Sequence, residues 1–490
     1  MPELEKQPES DISPPESVQK LPDISVQIDR EQEQRLLWKL DLHIVPILFL
    51  VYFCAFLDRI NLGNALIQGI VEELDLTRPG DINLALLIFF VPYILLEVPS
   101  NIVLKRVAPS TWLTILTFLF GVVTVCEGLV TSFRELVVCR FFLGVFEAGL
   151  FPGFIYLMSM YYKRHEFQRR FAVLFTSGLV AGAAGGLLAY SLTKLDGVGG
   201  LSGWRWIFIV EGLMSIGVSL FTKFAIVDWP CTATFLTEEE RIMVALRLEE
   251  DIGPAKMDRL DRKAFHRILK DRKIYIAAVS YFTISISGYS TALFNPTILH
   301  QFGYTSSQSQ VQSIPIYAAA GVAAACAGYF SDRIRHRWSF VMFGCLLSGI
   351  GYVLLLCQKH LSFISKHMAL FMVNIGVYTA QPIVIVWLLN NLAGHYKRAF
   401  GSAVQISFGN ISGIVVSIMF NPDEAPHFKI GYSIALASTI ICASLCTGFM
   451  YMLRRENKKR DRGDRDYRLG LDQMELDNLG DDYPDFRFTK

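Results

Sequence analysis

Twelve mostly apolar stretches follow one another along the chain, at approximately 42–65, 82–104, 111–129, 134–160, 169–192, 204–226, 274–297, 311–331, 339–357, 367–390, 401–421 and 430–453, divided by charged or Gly/Pro-rich punctuation. A helix needs about 20 apolar residues to cross ~30 Å of hydrocarbon, so the pattern predicts twelve membrane-spanning helices. Between the sixth and seventh runs lies a polar stretch, 227–272, whose segment TEEERIMVALRLEED has the spacing of a surface amphipathic helix. The spans therefore divide six and six. The expected organisation is a tail at 1–37, a six-helix bundle at 38–226, a central loop at 227–272, a second bundle at 273–456 and a closing tail at 457–490. Both tails are too polar to bury a core and are expected to be disordered or loosely attached.

Composition agrees with the pattern. The 490 residues are 52% hydrophobic and only 19% charged, which excludes an ordinary soluble protein. The net charge of +1 comes from tails, central stretch and short connectors, so no nucleic-acid-binding surface is expected. Lys and Arg set the orientation. Lys105, Arg106, Lys163, Arg164, Arg333, Lys397 and their neighbours outnumber the bases on the opposite loops, so both termini are expected in the cytosol. The acidic, Pro-rich N-terminus lacks the pattern of a cleavable signal. The nine cysteines lie mostly in apolar runs without CxxC spacing and are expected to be reduced.

An ionisable side chain in hydrocarbon costs ~3 kcal/mol or more, which makes each one a candidate for function. The first six runs hold Asp58, Arg59, Glu97, Glu127, Arg140, Glu147 and Glu211 away from their ends, whereas the last six hold neutral polar groups such as Tyr281, Tyr289, Asn295, Asn374, Gln381, Gln405 and Asn410. This predicts proton chemistry in the first half and hydrogen-bonding recognition in the second. Asp58 and Arg59 lie deep in the first run, and an anion competing for the guanidinium would alter the proton affinity of the carboxylate beside it. The alternative is a structural ion pair. In the fourth run, Arg140, Gly144 and Glu147 fall at i, i+4 and i+7 on one face, with Glu147 ~20 Å from the start of the run at ~1.5 Å per residue. Its two readings are a proton carrier and a permanent partner of Arg140 or Arg59. Glu97, Glu127 and Glu211 are expected to snorkel or cap near helix ends. Pro152, Pro296 and Pro382 are expected to kink the fourth, seventh and tenth helices, and GLVAGAAGGLLA in the fifth to pack closely on a neighbour.

Other chemistry is not in evidence in the sequence. GxxxxGK[ST], HExxH and GxSxG are all missing, so neither an enzyme nor a cofactor is expected. The histidines, for example His165, His336 and His395, read as solvated loop and helix-end residues. The sequon at Asn410 falls inside a predicted span, beyond the reach of glycosylation.

The connector after the second run reads PSNIVLKR, and the one after the eighth reads GYFSDRIRHR. The latter resembles the signature of the major facilitator superfamily, with Gly328, Asp332 and Arg333 as its motif residues, the glycine allowing close helix approach. FLDRINLGNA, EVPSN, RFFLGVFEAGLFPG, GWRWIFIVEG, SIPIY, NNLAGHYKRA, the Gly-Asn-x-x-Gly at 409–413 and the closing GDDYPDFRF together resemble the anion:cation symporter family of that superfamily, in its fungal allantoate-permease and nicotinic-acid-permease types. The resemblance implies an all-α membrane protein of two six-helix bundles around a central cavity with alternating access. It further implies proton-coupling roles for Asp58 and Glu147 and substrate binding by Arg59, Arg140 and Asn410, to which Tyr289 and Gln405 are added as looser candidates. The fifth run lacks the Gly-Pro usual in drug/proton antiporters of the superfamily, which argues against efflux.

The expected function is proton-coupled import of a small carboxylate, nicotinate-like or a related acid, by a monomer at a fungal plasma membrane, or at a vacuolar or other internal membrane. Its partners are then substrate, protons and membrane lipid. The alternatives are a pH-independent facilitator or exporter, and a nutrient receptor that transports nothing.

Overall fold

A computed structural model describes residues 30–76, 78, 80–252, 262–334, 336–420 and 427–489. The chain divides into two compact units, Met1–Lys39 and Leu40–Lys490. Of the first unit, only the opening turns of α1 are described, and the tail expected at 1–37 lies outside the described residues up to position 29. All that follows concerns the second unit.

Apolar length and local punctuation determine the elements. In chain order they are α1 (Arg30–Leu66), the short α2 (Ile70–Glu73), α3 (Asp81–Arg106), α4 (Pro109–Gly128), α5 (Phe133–Glu147), α6 (Leu150–Ser159), α7 (Arg164–Leu192), α8 (Gly203–Ala225), α9 (Glu238–Ile252), α10 (Arg262–Leu269), α11 (Arg272–Gln301), α12 (Ser306–Ile334), α13 (Arg337–Leu356), α14 (Phe363–Asn390), α15 (His395–Met419), α16 (Lys429–Asp461) and α17 (Gln473–Asp477). Twelve helical spans among the described residues are long and apolar enough to cross a membrane. The fourth span is α5 and α6 together, broken at Ala148–Gly149, just before Pro152. Pro296 and Pro382 lie within continuous α11 and α14. The amphipathic segment of the central stretch forms α9, anchored where the buried Arg247 pairs with Glu166 at 2.5 Å.

Packing follows the six-plus-six division. In the first half α4 packs on α8 and α5, and α3 on α5; in the second α13 packs on α14 and α16, and α11 on α15 and α16. The halves meet through α7 on α12 and α3 on α15. These are the fifth spanning helix of one half against the second of the other, and the reverse, which is the relation an internal repeat demands. Small residues permit the approach. A Cβ on Gly63 would lie 2.3 Å from the Leu293 carbonyl oxygen, and one on Gly186 would lie 2.6 Å from that of Gln310, so both positions exclude any side chain. Gly328 does not serve in this way. A Cβ there would meet nothing within 4 Å, so the expected close helix approach at this motif is absent, and Arg333 near it donates to the exposed Tyr329 hydroxyl at 3.2 Å. Asp332 lies in the last turn of α12.

The closing tail departs from expectation, because specific pairings hold it in place. Asp481 is fully buried, paired with Lys273 and, at 2.8 Å, with Lys397. Arg460 donates to the carbonyls of Asp481, Tyr483 and Phe486. Asn457 both donates to and accepts from the backbone of the buried Phe488, and Thr489 bonds to Trp387 and Asn391 at the end of α14. Overall polarity understates a segment in which Asp481, Phe488 and Thr489 find specific partners.

Candidate functional site

The site grows from α1. About two turns before its end the chain reads Leu57-Asp58-Arg59-Ile60, and the ~100° between successive residues sends Asp58 and Arg59 to different neighbours. Arg59 is 6% exposed and forms an ion pair with Glu147, 2% exposed, at the end of α5. Its other terminal nitrogen donates to the Tyr289 hydroxyl of α11 at 3.1 Å. The guanidinium carbon lies 5.1 Å from the Tyr93 ring centre and 5.3 Å from that of Phe89, both on α3, so aromatic faces cover the cation where it lacks a polar partner. Gly144 allows this arrangement, since a Cβ there would meet the Phe89 carbonyl oxygen at 2.1 Å and push α5 off α3.

Tyr289 passes the contact onward. Its hydroxyl donates to Asn410 Oδ1 of α15 at 2.8 Å, and Asn410 Nδ2 reaches Glu97 Oε2 of α3 at 3.4 Å, where the Ser407 hydroxyl also donates at 3.1 Å. Glu147, Arg59, Tyr289, Asn410 and Glu97 thus form one buried polar chain that crosses between the halves twice. Glu147 balances Arg59, while Glu97 has hydrogen-bond donors and leaves Oε1 without a partner.

A second polar group lies within the first half. Asp58 accepts from Ser215 of α8 at 3.3 Å and leaves Oδ1 without a partner, while Asn61, one turn away on α1, donates to Glu211 of α8 at 2.6 Å. Asp58 therefore faces a different set of neighbours from the Arg59 cluster. Arg140 does not join that cluster either, because its Nε lies 2.7 Å from Glu127 Oε1 on α4, close but poorly aligned for a hydrogen bond. Gln405 is wholly buried and donates to the backbone carbonyls of Val384 at 3.2 Å and Ala277 at 3.4 Å, tying α15 to α14 and α11. The structure thus gathers Arg59, Glu147, Tyr289 and Asn410, and disperses Asp58, Arg140 and Gln405.

Glu97, Glu127 and Glu211 neither snorkel nor cap; all three are buried against specific partners. Glu97 is the functional candidate that the expectation of a structural role misses. A signal exists, since Phe90, Tyr93 and Glu97 fall at i, i+3 and i+7 on one face of α3, the face on which Phe90 meets the Tyr289 ring at 5.2 Å. Among the described residues no cluster of His, Cys, Asp and Glu is arranged to hold a metal.

Comparison with known proteins agrees with this architecture. The sequence profile of the Major Facilitator Superfamily matches residues 48–417. The chain belongs to the major facilitator superfamily. Among its relatives in this superfamily, an uncharacterised transporter of Schizosaccharomyces pombe is 34% identical over 465 residues, 95% of this chain and 91% of its own. The high-affinity nicotinic acid transporter of Saccharomyces cerevisiae is 28% identical over 458 residues, 93% of this chain and 85% of its own. The crystal structure of a bacterial homologue of the human lysosomal transporter Spinster, inward-facing and occupied, superposes with a TM-score of 0.62 at 15% identity, covering 87% of this chain and 98% of that one. This major facilitator protein is a multi-pass membrane transporter, not an enzyme.

Proposed function

We propose that the protein imports a small organic carboxylate, nicotinate-like or a related acid, together with protons, at a fungal plasma membrane with both termini in the cytosol. The observation that carries this reading is the buried Arg59–Glu147 pair, bridged by Tyr289 to the other half. Arg59 is a cation whose carboxylate partner is exchangeable. Protonation of Glu147 releases one edge of the guanidinium, which then takes a substrate carboxylate through two parallel hydrogen bonds. Tyr289 and Asn410 sense the occupied site from the second half, and the halves rock about it. Loss of the proton on the cytosolic side lets Glu147 reclaim Arg59 and expel the anion. Asp58 is the second proton-coupling group, on the Ser215 and Glu211 side of α1. Arg140 acts at a distance, holding α5 through Glu127, and Gln405 braces α15. The name of the yeast nicotinic acid transporter supports the substrate class.

The test is uptake of labelled nicotinate and a panel of small acids by the full-length protein in proteoliposomes. Accumulation above equilibrium, driven by an acidic exterior and abolished by a protonophore, is expected. Uptake indifferent to pH would mark a facilitator, net outward flux an exporter, and binding without flux a receptor.

A further inference from the structure

Away from the central site, a cavity of about 450 Å³ lies where α10, the start of α11 and the start of α15 meet the closing tail. Six of its lining residues are bases: His266, Arg267, Lys270, Arg272, Lys273 and Lys397. Two of these are already neutralised. Lys273 and Lys397 share the carboxylates of Asp271 and Asp481, forming a balanced quartet. Asp482, the other acidic lining residue, faces Arg468 at 3.2 Å. Arg267, Lys270 and Arg272 are left, and among the described residues no carboxylate lies within ion-pair distance of them; the Nε of Arg267 is buried without any partner. A cavity with uncompensated guanidinium groups attracts an anion with several oxygens.

The setting identifies which anion. α10 carries two apolar stripes. Ala264 and Ile268 are buried against Ile274, Ala277, Leu388 and Leu392 at the end of the bundle. Phe265 and Leu269, each one position further along, stay exposed at 44% and 36%, as does Tyr275 at 41% in the first turn of α11. An exposed aromatic and aliphatic edge beside the start of a spanning helix marks the depth of lipid headgroups. The open stripe can lie against acyl chains while the bases beside it face a phosphate.

The geometry points to this cavity as a binding site for an anionic phospholipid whose headgroup carries more than one negative charge, with its phosphates on Arg267, Lys270 and Arg272 and its acyl chain along Phe265 and Leu269. At ~30 Å³ per water the cavity holds on the order of fifteen waters, room for a headgroup larger than a single phosphate. The site does not depend on which solute the central cluster carries.

Native mass spectrometry of the detergent-solubilised full chain tests it, with phosphatidylinositol 4-phosphate, phosphatidylcholine, inositol 1,4-bisphosphate and inorganic phosphate as probes. The phosphorylated lipid is expected to bind at least tenfold more tightly than phosphatidylcholine. The triple variant R267Q/K270Q/R272Q loses that preference while remaining monodisperse, and F265S/L269S weakens the phosphorylated lipid several-fold without restoring equality with phosphatidylcholine. Unchanged selectivity in the triple variant overturns the site. Inositol bisphosphate or inorganic phosphate binding as tightly as the lipid overturns the lipid assignment. If the triple variant fails to fold, the F265S/L269S pair decides: an unaltered preference for the phosphorylated lipid over its soluble headgroup contradicts the proposal.

Discussion

The two halves of the transporter bury different kinds of polarity. Between its helices the first half encloses Asp58, Arg59, Glu97, Glu127, Arg140, Glu147 and Glu211, whereas among the described residues the buried charges of the second half, Lys273, Arg337, Lys397, Arg460 and Asp481, stand at helix ends or in the tail. Its interior is joined instead by neutral pairs such as Asn295 with Asn374 and Ser287 with Thr439. A buried charge deprived of its partner costs far more than a neutral hydrogen bond. A change of protonation or the arrival of an anion is therefore expected to perturb the first half strongly, and to reach the second through the Tyr289, Asn410 and Ser407 contacts that cross between them. Under the proposed function, one half holds the chemistry and the other reads its state.

Breaking the first half should do the most damage. Arg59→Gln leaves Glu147 buried without its cation, and substrate-driven uptake is expected to fall at least ~100-fold, with ~3–5 kcal/mol lost from folding stability if Glu147 stays ionised; initial-rate flux and thermal unfolding in detergent measure both. Tyr289→Phe removes one hydrogen bond to a charged group, worth ~1.5–3 kcal/mol, so KM should rise roughly tenfold or more while expression holds.

The tail gives a smaller effect with a defined pH dependence. Burial would raise the Asp481 carboxyl, but the ammonium groups of Lys273 and Lys397 hold it well below the usual carboxylate range. A depressed value means that the contribution to stability is present above the unfolded value of ~3.9 and is lost as pH falls through the folded one. Docking of residues 479–489 should therefore withstand acidification from pH 8 to 5 in the wild type. In Asp481→Asn, amide hydrogen exchange of that segment should be faster at every pH in this range. The least effect is expected from Asn295→Leu with Asn374→Leu, since removing both partners of a neutral pair is nearly silent. A loss of uptake in this double variant comparable with Arg59→Gln would erase the contrast between the halves.

Most of the architecture was legible in the sequence because a bilayer demands apolar length, and length survives without knowledge of rotation. The twelve runs, the amphipathic α9 and the break near Pro152 all follow from that constraint and from local punctuation. Which face a charged residue presents was harder to read. Arg140 and Glu147 share a helical face, yet one meets Glu127 on α4 and the other Arg59 on α1, because a face two turns long touches different neighbours at its two ends. Glu97 resembled a helix-end carboxylate, and only the packing of α3 on α15 supplies Ser407 and Asn410 as donors. Polar composition likewise concealed the tail, whose order rests on a few long-range pairings separated by up to 212 positions in sequence.

In the proposed mechanism Glu147 exchanges with substrate for Arg59 as it takes up and releases a proton. Glu147→Gln in proteoliposomes tests it most directly, because the amide mimics the protonated acid. The variant is expected to retain exchange of labelled for unlabelled substrate at equal pH, and to lose concentrative uptake on an imposed pH gradient. If it still accumulates substrate on that gradient as the wild type does, Glu147 is not the coupling group.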